Sequence, residues 1–345
     1  MCVEAEAEVD GAEVIIDTFM SKHGQTDLLP AGSLYVTDDV ESLDTRVYAE
    51  EGASATTYRL FTGDADSDGE KELTLYTVGV LMQKLLPPFK PKRKYTHGRQ
   101  AVFGSFRQSV SLHGAGADPM THAVRAVKFA YIKLDRHAVK SAPFPSERVS
   151  VDNLVASNPY FTTGADAKDK DSVPFSKLVD PFDDLNRAMT DGCVHTSDND
   201  VQYIRGYEDE GGFFRHSPVT PSRFRPGDIV RVGFAVCIRQ DNKPHGPSEL
   251  SLVLRSITLI NDSLSTTLAL RQLNETTVSS KKRTAVARGL LVEDPEERPV
   301  GKIRRAMSTL SLHGVAMDVE DSEGQGDEVW SQVVRASNYF VLRSF

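Results

Sequence analysis

The sequence lacks long apolar runs. Its apolar stretches are only a few residues long, as in Val78–Met82, whereas a membrane-spanning helix needs about 20 apolar residues in succession. The acidic N-terminus, residues 1–8, also lacks the basic region and apolar core of a secretory signal, and mitochondrial presequences avoid acids. We therefore expect neither a membrane segment nor a targeting segment.

Cysteine is scarce as well. The chain has Cys2, Cys193 and Cys237, which are odd in number and far apart. This pattern makes a disulfide framework improbable and lacks the close spacing of a zinc site. It favours a reducing compartment, which is the cytoplasm or the nucleus.

Basic residues are outnumbered by acidic ones. The 345 residues include 40 lysines and arginines against 49 aspartates and glutamates, which gives a net charge of −9. The overall field of such a chain does not draw it to nucleic acid or to anionic membranes, so only a local patch can bind either. With 39% hydrophobic residues, the chain can nevertheless bury a sizeable core.

The signatures of the readily recognised enzyme families are also missing. The phosphate-binding loop, the dinucleotide-binding glycine motif, the serine-hydrolase elbow and the zinc-protease motif are all absent. Cys193 and His195 would share one face of a strand, but nucleophilic catalysis also needs a group that orients the base. We favour a protein without catalytic activity, and an unrecognised enzyme stays an alternative.

Short β-like runs separated by turn residues dominate what is present. Alternation of apolar and polar residues with a period of two is typical of half-buried strands. It predicts strands at residues 34–37, 45–49, 56–61, 73–82, 101–106 and 124–134. We expect a mainly β fold with a few short helices, arranged as an antiparallel OB-like barrel or β-sandwich.

The strongest strand signal lies in the second half of the chain. Ile229–Ile238 alternates strictly, and Glu249–Ile260 follows it after a polar loop. The apolar positions of the second run change parity near Arg255, which predicts a β-bulge there. The two runs predict a long antiparallel hairpin.

Helix signals are few. The clearest predicted helix spans residues 180–192, because Asp180 is a good N-cap, Pro181 suits the first turn and Gly192 can end the helix.

Changes of composition divide the chain into five segments, with a soft boundary in the proline-rich stretch at residues 140–150. The predicted segments are an acidic arm or short helix (1–32), an N-terminal β-rich domain (33–140), a C-terminal β-rich domain (141–274), a charged, partly disordered segment (275–327) and an apolar C-terminal segment that docks on the body (328–345).

A basic segment rich in aromatic residues, 84–107, is the best candidate binding site. Cations attract phosphates by releasing counterions, and aromatic faces stack on unpaired bases. The residues predicted to contact single-stranded nucleic acid are Lys90, Lys92, Arg93, Lys94, Tyr95, Arg99, Phe103, Phe106 and Arg107. A solvated loop, a localisation signal at 90–94 and pairing with the protein's own acids are the alternatives.

This segment leads us to expect a non-catalytic module that binds single-stranded nucleic acid, either DNA or RNA. The strand face that carries Arg231 and Arg255 would add to the same surface. A structural protein whose exposed strands or C-terminal tail pair with a protein partner is the alternative.

An acidic loop raises the question of calcium. Asp64, Asp66, Asp68 and Glu72 follow a D-x-D-x-D-G-x-x-E pattern, and hard cations bind several carboxylates on a tight turn. The loop resembles the first part of an EF-hand loop, but Leu75 occupies the twelfth position, where a bidentate glutamate belongs. We favour a solvated hairpin turn and keep calcium as the alternative.

A second basic region contains a candidate regulatory site. Arg305 precedes Ser308 by three residues, a spacing that basophilic kinases accept. Phosphate on Ser308 would add negative charge beside the basic region.

One stretch of the chain resembles a protein family of mushroom-forming fungi. The resemblance extends from Thr190 to Ile260 and is carried by Val194–Tyr203, Phe224–Val230 and Leu252–Ile260. It implies a fungal source and carries no activity with it.

Overall fold

The computed structural model describes most of the first 271 residues. The described residues are 2–24, 29, 33–35, 44–62, 70–88, 106–168, 170–189, 192–243 and 246–271, and for residues 2–10 the backbone alone is described.

Strands outnumber helices among the described residues, so the prediction of a mainly β fold with few helices is confirmed. The helices are α1 (Cys2–His23), α2 (Asp118–Asp135), α3 (Asp184–Ala188) and α4 (263–271). The strands are β1 (Ser33–Tyr35), β2 (Thr45–Glu51), β3 (Ala55–Thr62), β4 (Lys71–Glu72), β5 (Thr74–Leu85), β6 (Arg107–His113), β7 (Leu154–Pro159), β8 (Thr162–Thr163), β9 (Cys193–Val194), β10 (Gln202–Glu208), β11 (Phe214–Pro218), β12 (Ile229–Asp241) and β13 (Ser248–Asn261).

One large sheet contains all of these strands except β8 and β9, and it is mostly antiparallel. Its order is β11-β10-β13-β7-β6-β5-β12-β3-β2, while β1 pairs with β5 and β4 pairs with β3. Five strands form a circuit of pairings, because β12 pairs with both β5 and β13, β6 joins β5 to β7, and β7 meets β13. The circuit closes at a single parallel pair, Ser157 and Val253.

This circuit joins the two segments that composition divides at residues 140–150. Strands β5 and β6 come from the segment 33–140, whereas β7, β12 and β13 come from the segment 141–274. Residues 1–275 form one compact unit. Strands from both predicted β-rich domains therefore belong to one sheet, because backbone pairing links strands that are remote in sequence.

The long hairpin of β12 and β13 is confirmed, together with its bulge. Gly233 pairs with Ser256 and the next residue, Phe234, pairs with Leu254, so Arg255 is the extra residue. The inward residues of both strands, among them Phe234 and Leu254, are fully buried in the main core.

Helix α2 corrects the prediction of a strand at residues 124–134. The buried residues Ala123, Val127, Ala130 and Leu134 recur every three or four positions, which places them on one face of a helix. Pro119 suits the first turn of that helix. The alternating aromatic residues that suggested a strand are only half-buried.

The predicted helix over residues 180–192 is much shorter than expected. The carboxylate of Asp180 does cap it, by accepting three backbone N–H groups at 2.8–3.1 Å. Pro181 precedes the helix, because the left-handed backbone of Asp183 (φ 60°) delays its start until Asp184.

The N-terminal half of β12 is also covered on the face that points away from the main core. Helix α1, which lies within the predicted arm 1–32, places Ile16 and Phe19 in a small second core with Val78 and Ile229. None of the described helices is long and apolar enough to cross a membrane.

Candidate ligand-binding groove

A groove of about 490 Å³ lies on the face of the sheet that points away from the main core. Its floor is formed by alternate residues of three strands, namely Thr57, Arg59, Cys237, Arg239, Ser251 and Val253. Their sequence neighbours, such as Tyr58, Val236 and Leu252, are buried in the main core. The period of two in each strand therefore separates the core from the groove floor.

The walls of the groove come from connecting segments. One wall is the turn between β2 and β3, and the facing wall includes a short 3₁₀ turn at Gly164–Ala167 and the residues that follow it. A second 3₁₀ turn, Ser197–Asn199, contributes Asp198. Arg107, the first residue of β6, stands at the rim.

Below one side of the groove, Glu72 bridges two arginines. Its carboxylate accepts hydrogen bonds from Arg59 at 2.7 Å and, through both of its oxygens, from Nε and Nη2 of Arg255 at 2.7 and 2.8 Å. The three side chains are only 16–18% exposed. Because bidentate guanidinium–carboxylate pairs are strong and directional, this cluster fixes β3, β4 and the β13 bulge relative to one another.

Asp198 extends this cluster towards the groove. Its carboxylate lies 3.4 Å from Arg59, and its backbone carbonyl accepts a hydrogen bond from Arg255 at 2.7 Å. Burial lowers the pKa of Arg59, but the carboxylates of Asp198 and Glu72 outweigh it and raise the pKa above its ordinary value. Both arginines are thus committed to internal acids.

Two further contacts join the walls across the groove. The carboxylate of Asp166 accepts hydrogen bonds from the backbone N–H of Ser54, at 3.0 Å, and from the Ser54 hydroxyl. Lys170 lies 2.7 Å from Glu50. Burial raises the pKa of Asp166, but the two Ser54 hydrogen bonds outweigh it and lower the pKa below its usual value.

The groove has a balanced charge. Four cations line it, Arg59, Arg107, Lys170 and Arg239, against four acids, Glu50, Glu51, Asp166 and Asp198. The Arg239 side chain is 60% exposed and lies 3.6 Å from Asp166. Arg107 is exposed and makes no ion pair with any residue that the structure describes.

The thiol in the groove floor is not an activated nucleophile. Cys237 is 4% exposed, and its sulfur lies 3.1 Å from the Ser251 hydroxyl. Burial raises the pKa of this thiol, and an un-ionised thiol is a weak nucleophile.

The structure brings one predicted nucleic-acid contact, Arg107, to the groove. Phe106 is instead partly buried and packs against the main core. The remaining predicted contacts, Lys90, Lys92, Arg93, Lys94, Tyr95, Arg99 and Phe103, lie outside the described residues.

The two arginines expected on a common strand face are not available there. Arg231 is 3% exposed and donates hydrogen bonds to the Tyr35 hydroxyl at 2.8 Å and to His216 at 2.7 Å. Arg255 is held by Glu72. The expectation that they extend the binding surface is wrong, because one is enclosed on the β12 N-terminal half and the other is neutralised.

Glu72, one of the predicted calcium ligands, already has partners within the protein. Glu72 is already bound by two guanidinium groups, so a cation would have to displace both. Asp64, Asp66 and Asp68 lie outside the described residues, as does Ser308.

His195 has a structural environment. Its ring is 3% exposed, stacks on Phe175 with centroids 3.8 Å apart, and lies with Nδ1 2.9 Å from the Tyr160 carbonyl oxygen. Burial lowers its pKa. Cys193 is half-buried on β9. These contacts explain the position of His195 without any catalytic role.

The groove residues missed by sequence reasoning are mostly acids and their partners on connecting segments, such as Glu50, Asp166, Lys170 and Asp198. No periodicity marks them. Arg59 and Arg239 could have been identified from the sequence, because each occupies an outward position of an alternating strand.

Comparison of the chain with known protein families, with curated proteins and with solved structures finds no match. The resemblance to a fungal family stays a prediction. The function therefore has to be argued from the groove and from the order of the strands.

Proposed function

We propose that this is a non-catalytic binding protein with an OB-type strand arrangement, and that its ligand is single-stranded nucleic acid. The ligand lies across the groove, between the β5–β6 connection and the β12–β13 loop. Such a ligand agrees with the cytoplasmic or nuclear location that the cysteine pattern predicts.

The order of the strands supports the OB-type arrangement. Strands β5, β6 and β7 follow one another with antiparallel pairing, β12 returns beside β5, and β13 fills the space between β12 and β7. A fourth strand that returns beside the first defines a Greek key, and a five-stranded Greek-key barrel is the OB fold.

The position of the basic segment carries the proposal. In OB folds the connections between strands 1 and 2 and between strands 4 and 5 bind oligonucleotides. The first of these is the β5–β6 connection, residues 86–106, which contains the predicted basic and aromatic contacts and ends beside Arg107. The second is the β12–β13 loop, which contains Lys243.

The groove itself suits a single strand more than a duplex. Its width is limited by the two walls that meet through Asp166 and Ser54, and its floor contains two hydroxyl groups, of Thr57 and Ser251, as well as the cations Arg59 and Arg239. Arg107 at the rim makes no ion pair with an acid that the structure describes, so a phosphate group can bind it without displacing one of those acids.

The test is fluorescence anisotropy with labelled 12-mers of single-stranded DNA, single-stranded RNA and duplex DNA over a range of salt concentrations. We expect the single strands to bind more tightly than the duplex. Each phosphate contact adds about 0.7 to the slope of log K against log salt. Arg107→Gln should reduce that slope by about 0.7 and the triple change at Lys92, Arg93 and Lys94 to Gln by about 2.

The matched control is Lys128→Gln, which removes an exposed charge from α2, away from the groove. It should leave both affinity and slope unchanged. Failure of all three oligonucleotides to bind at low salt, or an equal effect of the control, would refute the proposal.

A protein partner is the second candidate, and the sheet edges favour it. Strand β2 forms one edge and is largely exposed, and β11 forms the other, beside the exposed side chains of Tyr207 and Phe213. Unpaired edges can accept a strand from a partner. Light scattering after size-exclusion chromatography separates the two candidates, since an oligomer insensitive to salt and oligonucleotide supports this second one.

A further inference from the structure

The exchangeable cations of the groove are already held by the protein's own acids. Lys170 lies 2.7 Å from Glu50, and Arg239 lies 3.6 Å from Asp166. Glu51 lines the same groove, is exposed and makes no ion pair with a described residue. Of the two neighbouring glutamates, Glu50 therefore pairs with a described cation and Glu51 does not.

The Lys170–Glu50 pair connects two segments that face each other across the groove, and the Arg239–Asp166 pair connects one of them to β12 in the floor. We call residues 164–168 together with Lys170 the strap, and residues 50–54, which are the end of β2 and the residues that follow it, the turn. Besides the Lys170 pair, Asp166 of the strap accepts two hydrogen bonds from Ser54 of the turn. A Cβ at Gly52 would lie 2.7 Å from the Asp166 carboxylate, so this close approach of strap and turn needs glycine.

We propose that Glu50 and Asp166 form an autoinhibitory clasp, which holds the strap on the turn until the phosphates of a ligand take over Lys170 and Arg239. This inference rests on the proposed function for its ligand. Carboxylate and phosphate oxygens are interchangeable partners of guanidinium and ammonium groups, so the exchange needs no other chemistry.

The exposure of the pairs explains why the clasp can open. The side chains of Lys170, Glu50 and Arg239 are 33%, 46% and 60% exposed, while Asp166 is 17% exposed. Each pair therefore has at least one partner that is accessible to water, and such ion pairs contribute little to stability. The Glu72 cluster, at 16–18% exposure, is the opposite case and stays closed. The groove thus has a fixed ionic cluster below it, formed by Glu72, Arg59 and Arg255, and exchangeable ion pairs that involve Lys170 and Arg239.

Labelling of Cys237 tests the clasp without any ligand. The thiol lies in the groove floor and is nearly buried, so opening of the strap exposes it to a maleimide. Peptide mass spectrometry distinguishes it from Cys2 and Cys193. We expect labelling to become several-fold faster in Glu50→Gln and faster still in Asp166→Ala, while the matched control Glu70→Gln, which breaks an ion pair with Arg46 outside the groove, labels like the wild type.

The same variants are then titrated with a single-stranded 12-mer. We expect Glu50→Gln to bind several-fold more tightly, with a salt slope steeper by up to about 0.7, because Lys170 loses its 2.7 Å partner and keeps the longer 3.9 Å contact with Asp198. Glu70→Gln should keep the wild-type slope. Oligonucleotide should also accelerate Cys237 labelling in the wild type.

The possible outcomes separate the two proposals. Equal labelling in the wild type, Glu50→Gln and Glu70→Gln would overturn the clasp, even if the oligonucleotide binds. Faster labelling in Glu50→Gln without any oligonucleotide binding would support the clasp and overturn the nucleic-acid ligand. Far-ultraviolet circular dichroism confirms that Asp166→Ala is folded, and Glu50→Gln provides the answer if it is not.

Discussion

Replacing Glu72 by glutamine removes the central charge of the ionic cluster under the groove. In the wild type the carboxylate accepts hydrogen bonds from Arg59 and, through both oxygens, from Arg255. Glutamine has nearly the same shape but no charge, and its amide nitrogen cannot accept a guanidinium N–H. The variant therefore leaves two arginines, each 16% exposed, with Asp198 as their shared counter-charge and Glu50, 3.7 Å from Arg59, as a second one.

The expected cost lies between two known limits. Breaking a fully buried ion pair costs about 3–5 kcal/mol, and breaking a surface pair costs about 0–1 kcal/mol. The cluster is nearly buried, but Asp198 and the remaining amide oxygen retain part of the interaction, so we expect a loss of about 2 kcal/mol in the free energy of unfolding. For a unit of this size that corresponds to a decrease in Tm of roughly 4–8 °C.

Urea denaturation and differential scanning calorimetry at low salt measure this change. The matched control is Glu70→Gln, because Glu70 pairs with Arg46 at 3.2 Å and that arginine is 44% exposed. It should cost less than about 1 kcal/mol. Equal stabilities of the two variants would refute the reasoning. A calcium-dependent rise in the Tm of the wild type, lost in Glu72→Gln, would instead favour the calcium site.

Two further predictions concern the β12 N-terminal half. His216 accepts a hydrogen bond from Arg231 and must therefore be neutral. Burial and the Arg231 charge lower its pKa, so the unfolded chain binds the proton more tightly. Stability should fall as the pH drops below about 6.5, and His216→Gln, which keeps an acceptor, should flatten that dependence in urea titrations. Gly233→Ala should destabilise the protein by about 1–3 kcal/mol, measured by Tm, because its Cβ would meet the Ser256 hydroxyl at 2.5 Å and the Tyr76 ring at 2.7 Å; an unchanged Tm would contradict it.

The strands predicted at residues 45–49, 56–61 and 73–82 and in the hairpin of 229–260 are observed, whereas β6, β7, β10 and β11 were not predicted. Along residues 229–260, alternation alone shows which side chains lie on each face of the strand. The parity change at Arg255 locates the bulge without tertiary information. The strand predicted at 124–134 shows the limit. Its alternating aromatic residues fit a period of two over a few positions, and only packing of Ala123, Val127 and Ala130 against the strands selects the helix.

The candidate site divides in the same way. The basic and aromatic residues of the β5–β6 connection are visible as a cluster in the sequence, and so is Arg107. The paired acids of the groove are not, because Asp166 and Asp198 lie in 3₁₀ turns, Glu50 lies at the end of β2, and the partner of each is distant in the chain. Asp166 and Ser54 are separated by 112 positions, and Glu72 and Arg255 by 183.

The sequence by itself determined which faces of the strands are apolar, where the long hairpin bulges and where cations and aromatic rings cluster. These features follow from side-chain chemistry and a fixed backbone period. Only the tertiary structure decided that β5, β6, β7, β12 and β13 pair in a circuit, that Arg59 and Arg255 are neutralised, and that a groove forms between strap and turn. Those outcomes depend on contacts between remote residues, which form when the sheet brings their backbones within hydrogen-bonding distance.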